Sequence, residues 1–288
     1  MHDIMKSFKN MTGLLLLMPL MLAMCQKQDD TDPVGISFSA KINEMSTRAV
    51  GTAFENGDEI SVFACHEASL ASSNYAQNVR YRFNNDLFSA SSPVTYPRKD
   101  AALTFYAVYP YGNYSVPELR FSVDTDQSTH AAYTESDLMT SSTTAKMKEI
   151  VELKFSHRLS KVVLNLNSAD LSSADVRFIQ VYTSLDADIA GNVYKETGRK
   201  SDVIAFNASA ESFMAILPPQ TIPAGSQFAE IRVGDKVYDW VAESDIVLSS
   251  GVEHVYTATL NGKSVTISAD INSWNGSDET YVDADRNQ

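Results

Sequence analysis

The segment Val34–Ile42, which reads VGISFSAKI, decides the fold class of this chain. Its larger apolar residues occupy every second position, and small or polar residues stand between them; they are Val34, Ile36, Phe38, Ala40 and Ile42. Since successive side chains of a β-strand point to opposite faces of a sheet, this alternation predicts a half-buried strand. The same period of two recurs along most of the chain, while long helical periodicity is scarce.

Further alternating runs are separated by turn-forming residues. Val151, Leu153 and Phe155 alternate with two charged residues, and Asn261-Gly262 between two such runs predicts a hairpin with a two-residue loop. Short strands with frequent turns predict an all-β chain built from packed sheets. We expect helix only in short pieces, near residues 144–149 and 171–175.

The length of 288 residues predicts two domains rather than one, since a single β-sandwich rarely needs more than about 130 residues. One alternating run ends and the next begins within Ser156–Leu159, which places the junction there. We therefore expect an N-terminal β-sandwich at 34–157, a C-terminal β-sandwich at 158–275 and a polar tail at 276–288.

The first 24 residues have the pattern of an export signal. Two lysines precede the apolar run Leu14–Met24, which has the length of a signal-peptide core and is too short to span a bilayer. The run ends in Leu22-Ala23-Met24-Cys25, which resembles the lipobox of bacterial lipoproteins, although Met24 stands where a small residue is usual. We expect a lipoprotein signal peptide at 1–24, acylation of Cys25 and an acidic tether at 25–33; the alternative is a secreted protein that is cut elsewhere.

The charge, the cysteine count and the motifs of the chain exclude several function classes. A net charge of −13 repels phosphate backbones, so we expect no nucleic-acid partner. Two cysteines suffice for neither a disulfide framework nor a zinc cage, and the five histidines are scattered. The sequence has no Gly-x-Ser-x-Gly elbow, Gly-rich phosphate loop or His-Glu-x-x-His motif. We therefore expect no enzymatic activity, no cofactor and no metal site.

Two local features have two interpretations each, and a third has one. Tyr106, Tyr109, Tyr111 and Tyr114 suit a platform on which sugar rings stack, but a β-sandwich core normally carries this much tyrosine. Asp186 and Asp188 have the spacing of a calcium loop, but the fifth position lacks an oxygen ligand, which favours an acidic turn. Cys65 is expected to be a buried small apolar residue.

Six motifs occur in an order that resembles one protein family. The motifs are Thr47-Arg48-Ala49 with Phe54–Phe63, Leu103–Tyr111, Ser136–Met139, Leu153–Val162, Ile216–Ile222 and Ile271–Trp274. Together they resemble the fimbrillin-type subunits from which Bacteroides-like bacteria build the type V pilus. The resemblance covers nearly the whole chain, and Phe54 stands where a tryptophan is common. It implies two tandem transthyretin-like Greek-key β-sandwich domains and a structural or adhesive role.

The resemblance also implies a maturation route. In this family an Arg-specific protease removes the lipidated N-terminal segment together with its first strand, and the vacated groove accepts a strand from the next subunit. Carried over to this sequence, the cut falls between Arg48 and Ala49, and the displaced strand is Val34–Ile42. The implied partners are other pilus subunits, the outer membrane through a lipid anchor, and a host glycan or protein receptor. The implied location is the cell surface, first as an outer-membrane lipoprotein and then in the fimbrium.

Two other functions stay open from the residues. One is a lipid-anchored surface adhesin or pilus anchor that is never cut at Arg48. The other is a glycan-binding surface lipoprotein, which an aromatic platform outside the core would favour.

Overall fold

The computed structural model describes residues 35–43, 53–66, 74–98, 101–147, 149–168, 171, 173–190, 192–261 and 264–274. Within these residues the chain forms 19 strands and one short helix. The elements are, in chain order, β1 (Ser37–Ile42), β2 (Glu59–Cys65), β3 (Asn74–Asn84), β4 (Leu87–Ser89), β5 (Ala102–Tyr109), β6 (Glu118–Ser122), α1 (His130–Glu135), β7 (Met139–Lys146), β8 (Ile150–His157), β9 (Ser160–Asn167), β10 (Ala174–Asp188), β11 (Val193–Ile204), β12 (Phe206–Ser209), β13 (Ser212–Leu217), β14 (Gln220–Ile222), β15 (Gln227–Val233), β16 (Lys236–Val241), β17 (Ile246–Leu248), β18 (Val252–Asn261) and β19 (Ser264–Ser273). The all-β prediction is confirmed.

Seven strands of the first half close into a barrel in the order β1-β4-β3-β2-β5-β7-β8, with β8 returning to β1. Alternate residues of these strands face inward and form one apolar core, which includes Phe38, Tyr81, Phe105 and Leu153. Neighbouring strands run antiparallel except β1 and β8, which are parallel. Closure leaves the barrel without a free edge, so every strand has two partners.

The second half packs two main sheets against each other around its own core. One sheet has the order β11-β10-β15-β16 and the other the order β12-β13-β9-β18-β19, while β14 and β17 form a small separate pair. Phe178, Phe213, Phe228 and Trp240 lie in the core between the main sheets. The predicted hairpin is confirmed, since β18 and β19 pair antiparallel up to Asn261 and Ser264.

The two halves share a sheet and a third apolar cluster. β6, from the first half, pairs antiparallel with the C-terminal part of β10, from Ser122↔Ser184 to Glu118↔Asp188. The third cluster combines side chains of both halves, among them Phe63, Leu159 and Trp274. The division at 157/158 into two tandem domains stays a prediction.

The predicted helices are wrong. Residues 144–146 belong to β7 and residues 174–175 to β10, whereas the helix of the described chain is α1. Ala145-Lys146-Met147 favours helix by intrinsic propensity, but pairing of β7 with β5 and burial of Ala145 against the barrel core override it. In α1, the hydroxyl of Thr129 caps the first turn by accepting a hydrogen bond from the Ala132 amide at 3.2 Å.

Candidate functional site

The candidate site is the groove that β1 occupies in the barrel wall, which we call the β1 groove. β1 pairs with β8 in parallel register over its whole length, from Ser37↔Ile150 to Ile42↔Phe155. On its other side it meets β4 only at Phe38↔Phe88, with one further bridge between Gly35 and Thr95. β1 is therefore held by a continuous hydrogen-bond ladder with β8 on one side and by a short contact with β4 on the other.

The inward side chains of β1 fill the centre of the barrel. Ile36 and Phe38 are fully buried, and the Phe38 ring meets Tyr81 and Phe105 edge-on at centroid distances of 4.9 and 5.3 Å. Ala40 and Ile42 are half-buried against the same core. Burying such side chains contributes about 1.5–3 kcal/mol each, so the strand is an integral part of the core.

A buried tyrosine supports the wall of the groove beside β1. The Tyr81 hydroxyl accepts a hydrogen bond from the Val94 amide at 2.8 Å, and burial raises the Tyr81 pKa to about 12. The carbonyl of Val94 in turn accepts a hydrogen bond from the Ile36 amide at 2.9 Å. The backbone at Ile36, directly before β1, is thus hydrogen-bonded to Val94, and the Tyr81 hydroxyl holds Val94 in place.

A small cavity lies where β1 ends. It encloses about 50 Å³ and is lined by Ile42 on one side and by residues of α1, the segment before β2 and Trp274 on the other. Within the part of the chain that the structure describes, three carboxylates line it, Glu55, Asp58 and Asp137. Burial raises the pKa of the Asp58 carboxyl above its ordinary value, and the Tyr109 hydroxyl lies 3.4 Å from its Oδ1. We call this space the acidic cavity.

Asp137 carries an incomplete set of hydrogen bonds. It is 7% exposed, and its Oδ2 lies 2.8 Å from Nδ1 of His157, the last residue of β8. Its Oδ1 is buried and has no hydrogen-bond partner among the described residues. A buried carboxylate oxygen without a donor is unfavourable, so this position suits an added donor or cation.

Trp274 closes the junction between the end of β8 and the end of β19. Its ring stacks on His157 at a centroid distance of 3.8 Å, and its amide donates to the Gly251 carbonyl at 2.9 Å. Lys161 approaches the same ring at 5.7 Å and forms a buried ion pair with Glu253 at 2.9 Å. The end of β19 therefore contacts the end of β8, the strand beside β1, through the stacking of Trp274 on His157.

His254, next to this ion pair in sequence, is uncharged in the folded protein. Its Nε2 accepts a hydrogen bond from the Ser249 amide at 3.2 Å, and burial lowers its pKa to about 4. The His254 ring therefore contributes packing and one hydrogen-bond acceptor to the junction, and no charge.

The predicted site residues fall into two groups. Ile36, Phe38, Ala40 and Ile42 form the inward face of β1 and its approach, as the alternation indicates. Cys25, Val34, Arg48 and Ala49 lie outside the described residues. Acylation at Cys25 and cleavage between Arg48 and Ala49 stay predictions.

The alternative features have structural roles. Tyr106 and Tyr109 are buried, Tyr114 donates to the Pro110 carbonyl at 3.0 Å, and Tyr111 lies under the Arg80 guanidinium, so the four tyrosines form no common exposed platform. Asp186 lies in β10 and binds Arg120 of β6 at 2.8 Å, so it belongs to a strand rather than to a calcium loop. Asp188 ends β10, and its Oδ1 accepts a hydrogen bond from the Ala190 amide at 3.0 Å in the turn that follows, as the acidic-turn interpretation predicts. Cys65 is buried, as predicted.

The described residues contain neither a metal-binding cluster nor a membrane-spanning helix. No group of three or more His, Cys, Asp or Glu residues in the described ranges is arranged to hold a metal ion. In the same ranges no helix is long and apolar enough to cross a membrane.

Sequence reasoning missed the junction residues around the acidic cavity. Asp137, His157 and Trp274 belong to three of the quoted motifs, but their mutual contact joins positions far apart in the chain. The signal that was available is their occurrence within three of the six motifs, with Trp274 at the end of its motif.

Comparison with known proteins gives consistent results. A family model described as fimbrillin-like matches residues 47–274. A Bacteroides ovatus protein described as the fimbrium tip subunit Fim1C is 28% identical over 174 residues, which are 51% of this chain and 32% of that protein. The match thus spans about a third of that relative's length.

Two solved structures share the fold. A cell adhesion protein of Bacteroides uniformis has a TM-score of 0.65 at 19% identity, covering 84% of this chain and 99% of its own. One from Bacteroides ovatus has a TM-score of 0.67 at 21% identity, covering 84% of this chain and 98% of its own.

Proposed function

Because the chain belongs to the fimbrillin-like family, whose members are fimbrial and cell-adhesion proteins of the cell surface, we propose that it is a pilus subunit that joins its neighbours by strand replacement. The observation that carries the proposal is the position of β1. It completes the barrel from one end of the chain, in parallel with β8 and with minimal contact to β4. A strand of another subunit fits the same groove, since backbone hydrogen bonds and alternating side chains are its only requirements.

We propose that maturation frees the groove by cleavage between Arg48 and Ala49. The cut detaches every residue up to Arg48, including β1, from the rest of the chain. Phe54 would keep the new N-terminal segment attached to the barrel, because its ring contacts Phe88, Tyr109 and Phe155 at 5.0–5.5 Å. The emptied groove would expose apolar surface and unpaired backbone groups, which are a template for strand addition.

The Arg48→Ala variant is expected to fold normally and to lose the capacity for strand uptake. The measurement is fluorescence anisotropy of a labelled peptide with the sequence of residues 34–44. Wild-type protein treated with an Arg-specific protease should bind the peptide, whereas treated Arg48→Ala should not. The physical reason is that a covalently attached β1 competes with the peptide at a very high effective concentration.

Arg48→Lys is the matched control. The Arg-specific protease should leave it intact, while limited trypsin digestion should cut it and restore peptide binding. Strand replacement at this site is wrong if uncut Arg48→Ala binds the peptide as well as cut wild type does. It is equally wrong if cut wild type, freed of residues 25–48, binds no strand; the permanently anchored adhesin would then be the better function.

We further propose export as a lipoprotein acylated at Cys25. Cys25→Ser is expected to move the protein from the membrane fraction to the soluble fraction and to abolish palmitate incorporation, because the lipid chains dominate membrane partitioning. Fractionation of cells grown with radiolabelled palmitate measures both effects. Label retained on the variant would contradict the lipoprotein assignment.

Finally, we infer two tandem transthyretin-like domains that meet near residue 157. Two separate apolar cores support this division, one formed by residues up to Phe155 and the other by residues from Val162 onward. The proposed partners are other pilus subunits, and a receptor would be reached through surfaces outside the β1 groove.

A further inference from the structure

A second cavity lies between the two halves of the chain, and we call it the interface cavity. It encloses about 270 Å³ and is lined by residues of β5 and β7 on one side and by the turn after β10 on the other. Arg158, in the connection between β8 and β9, lines it as well. The interface cavity is separate from the β1 groove, because none of its described lining residues belongs to β1, β4 or β8.

One wall of the interface cavity combines an aromatic side chain with hydroxyl groups. Tyr106 of β5 pairs directly with Ser142 of β7, and directly opposed residues of neighbouring strands project from the same face of a sheet. Thr140 lies two residues before Ser142 and therefore shares that face. The face is the outside of the barrel, since Tyr106 belongs to the apolar cluster that both halves build. The wall thus places one aromatic ring beside two hydroxyls.

The opposite wall is fixed to the first half by backbone hydrogen bonds. β6 pairs with β10 as far as Asp188, and the next amide, that of Ile189, donates to the Pro117 carbonyl at 3.1 Å. Asn192 adds a side-chain amide to the lining from a left-handed backbone conformation with φ of 57°, which asparagine adopts more readily than most residues. The distance between the two walls is therefore set by the fold itself.

Arg158 is held in place through both its backbone and its side chain. It is 8% exposed, its amide donates to the Leu138 carbonyl at 2.9 Å, and its carbonyl accepts from the Ser250 hydroxyl at 2.9 Å. Its Nε donates to Oγ1 of Thr140 at 2.7 Å, and its guanidinium lies 5.0–6.0 Å above the Tyr194 ring, at 5.6 Å from the centroid. The guanidinium is thus positioned before any ligand arrives, which lowers the entropic cost of binding.

Size and charge indicate which ligand fits the interface cavity. Pockets for drug-sized molecules measure roughly 300–1,000 Å³, so a cavity of about 270 Å³ suits a smaller molecule. Hydroxyl, amide and guanidinium groups beside an aromatic ring match a molecule with hydroxyls at its edge and C–H groups on its face. The net charge of −13 repels anions, and Arg158 is already engaged with Thr140, so a neutral ligand is favoured. A pyranose ring has all of these properties.

We propose that the interface cavity binds one neutral sugar ring of a glycan. Tyr106 packs against the C–H face of the ring, while Ser142, Arg158 and Asn192 supply hydrogen bonds to its hydroxyls. The site differs from an exposed tyrosine platform, because Tyr106 is the one member of that group of four in the described lining. It gives the subunit a receptor-binding function that goes beyond strand replacement and does not depend on it.

The ligand class is tested by saturation-transfer difference NMR on the uncleaved chain. The probes are the methyl glycosides of glucose, galactose, mannose and fucose, with that of glucuronic acid as the charged control. At least one neutral probe should bind with a dissociation constant of about 1 mM, as expected for so small a ligand, and the charged control should bind more weakly. If none of the neutral probes binds, the site is wrong. Tighter binding of the charged control would overturn the assignment to neutral sugars.

Ser142→Tyr tests the location of the site. Ser142 is exposed and lines the cavity, so a larger side chain there fills the space without removing a core residue. The variant should keep the wild-type thermal midpoint and weaken binding of the best neutral probe by about tenfold or more. Lys146→Tyr is the matched control, because Lys146 is exposed on the same face of β7, about 13 Å further along, and is not part of the lining. It should bind as wild type does.

The remaining outcomes decide the proposal as well. Equal binding by Ser142→Tyr and wild type would place the sugar elsewhere and overturn the interface cavity, as would an equal loss in Lys146→Tyr. Should Ser142→Tyr unfold, Tyr106→Leu serves as the second variant; it keeps an apolar side chain but removes the ring, and binding should weaken about fivefold. Because β1 stays in place throughout, failure of strand replacement leaves these results unchanged.

Discussion

Replacing Phe38 with alanine is expected to lower the free energy of unfolding of the uncleaved chain by about 3–5 kcal/mol. The ring is fully buried in the barrel and packs edge-on against Tyr81 and Phe105, so its loss leaves a cavity that the closed wall fills poorly. Urea denaturation followed by tyrosine fluorescence measures the change.

Lys41→Ala on the same strand is the matched control. Lys41 and Glu152 form an ion pair at 3.3 Å with both side chains largely exposed, so its loss should change stability by less than about 1 kcal/mol. If Phe38→Ala costs no more than Lys41→Ala, β1 is not part of the folded core. After cleavage and removal of residues 25–48, wild type and Phe38→Ala should have the same stability.

Lys161→Met is expected to destabilise the chain by about 3–5 kcal/mol. Lys161 is almost completely buried, and its ammonium lies 2.9 Å from the Glu253 carboxylate, which is itself largely inaccessible. Removing the cation leaves a buried negative charge without its partner, in the junction that Trp274 closes. Thermal unfolding by circular dichroism measures the loss.

The double variant Lys161→Met/Glu253→Leu should recover most of that stability, because the unpaired charge is gone. Arg120→Met breaks an exposed pair with Asp186 and should cost less than about 1 kcal/mol. A single variant as stable as wild type would show that the buried pair contributes nothing to folding, and a single variant as stable as the double variant would show that the unpaired Glu253 carboxylate is not the cause of the loss.

The period-two pattern predicted β1 correctly because both its burial and its alternation are local properties of the sequence. Ile36 and Phe38 alternate with small polar residues, and they enter the barrel core as that pattern requires. Barrel closure has no such local signal. It depends on β1 pairing in parallel with β8, and the pairing of β6 with β10 of the other half, which lies outside the barrel, likewise has no local signal. The misassigned helix near residue 145 has the same origin, since tertiary pairing outweighed local propensity.

The candidate site was predictable only in its apolar part. Alternation identified the inward side chains of β1, but the cavity beyond Ile42 is assembled from α1, the segment before β2 and Trp274. Asp137 and His157 are unremarkable residues in sequence and become a site because β7 and β8 bring them to 2.8 Å. Contacts of this kind follow from topology, which a single sequence does not encode locally.

The parallel register of β1 and β8 also determines how the barrel responds to force. Tension applied to the chain ahead of Ser37 runs along β1, and all of the ladder from Ser37↔Ile150 to Ile42↔Phe155 carries the load together. Strands loaded along their axis slide only when every hydrogen bond breaks in one step, whereas strands pulled apart from an end open one bond at a time. Since the lifetime under tension depends on the height of that barrier, a strand seated in this way gives a mechanically durable link.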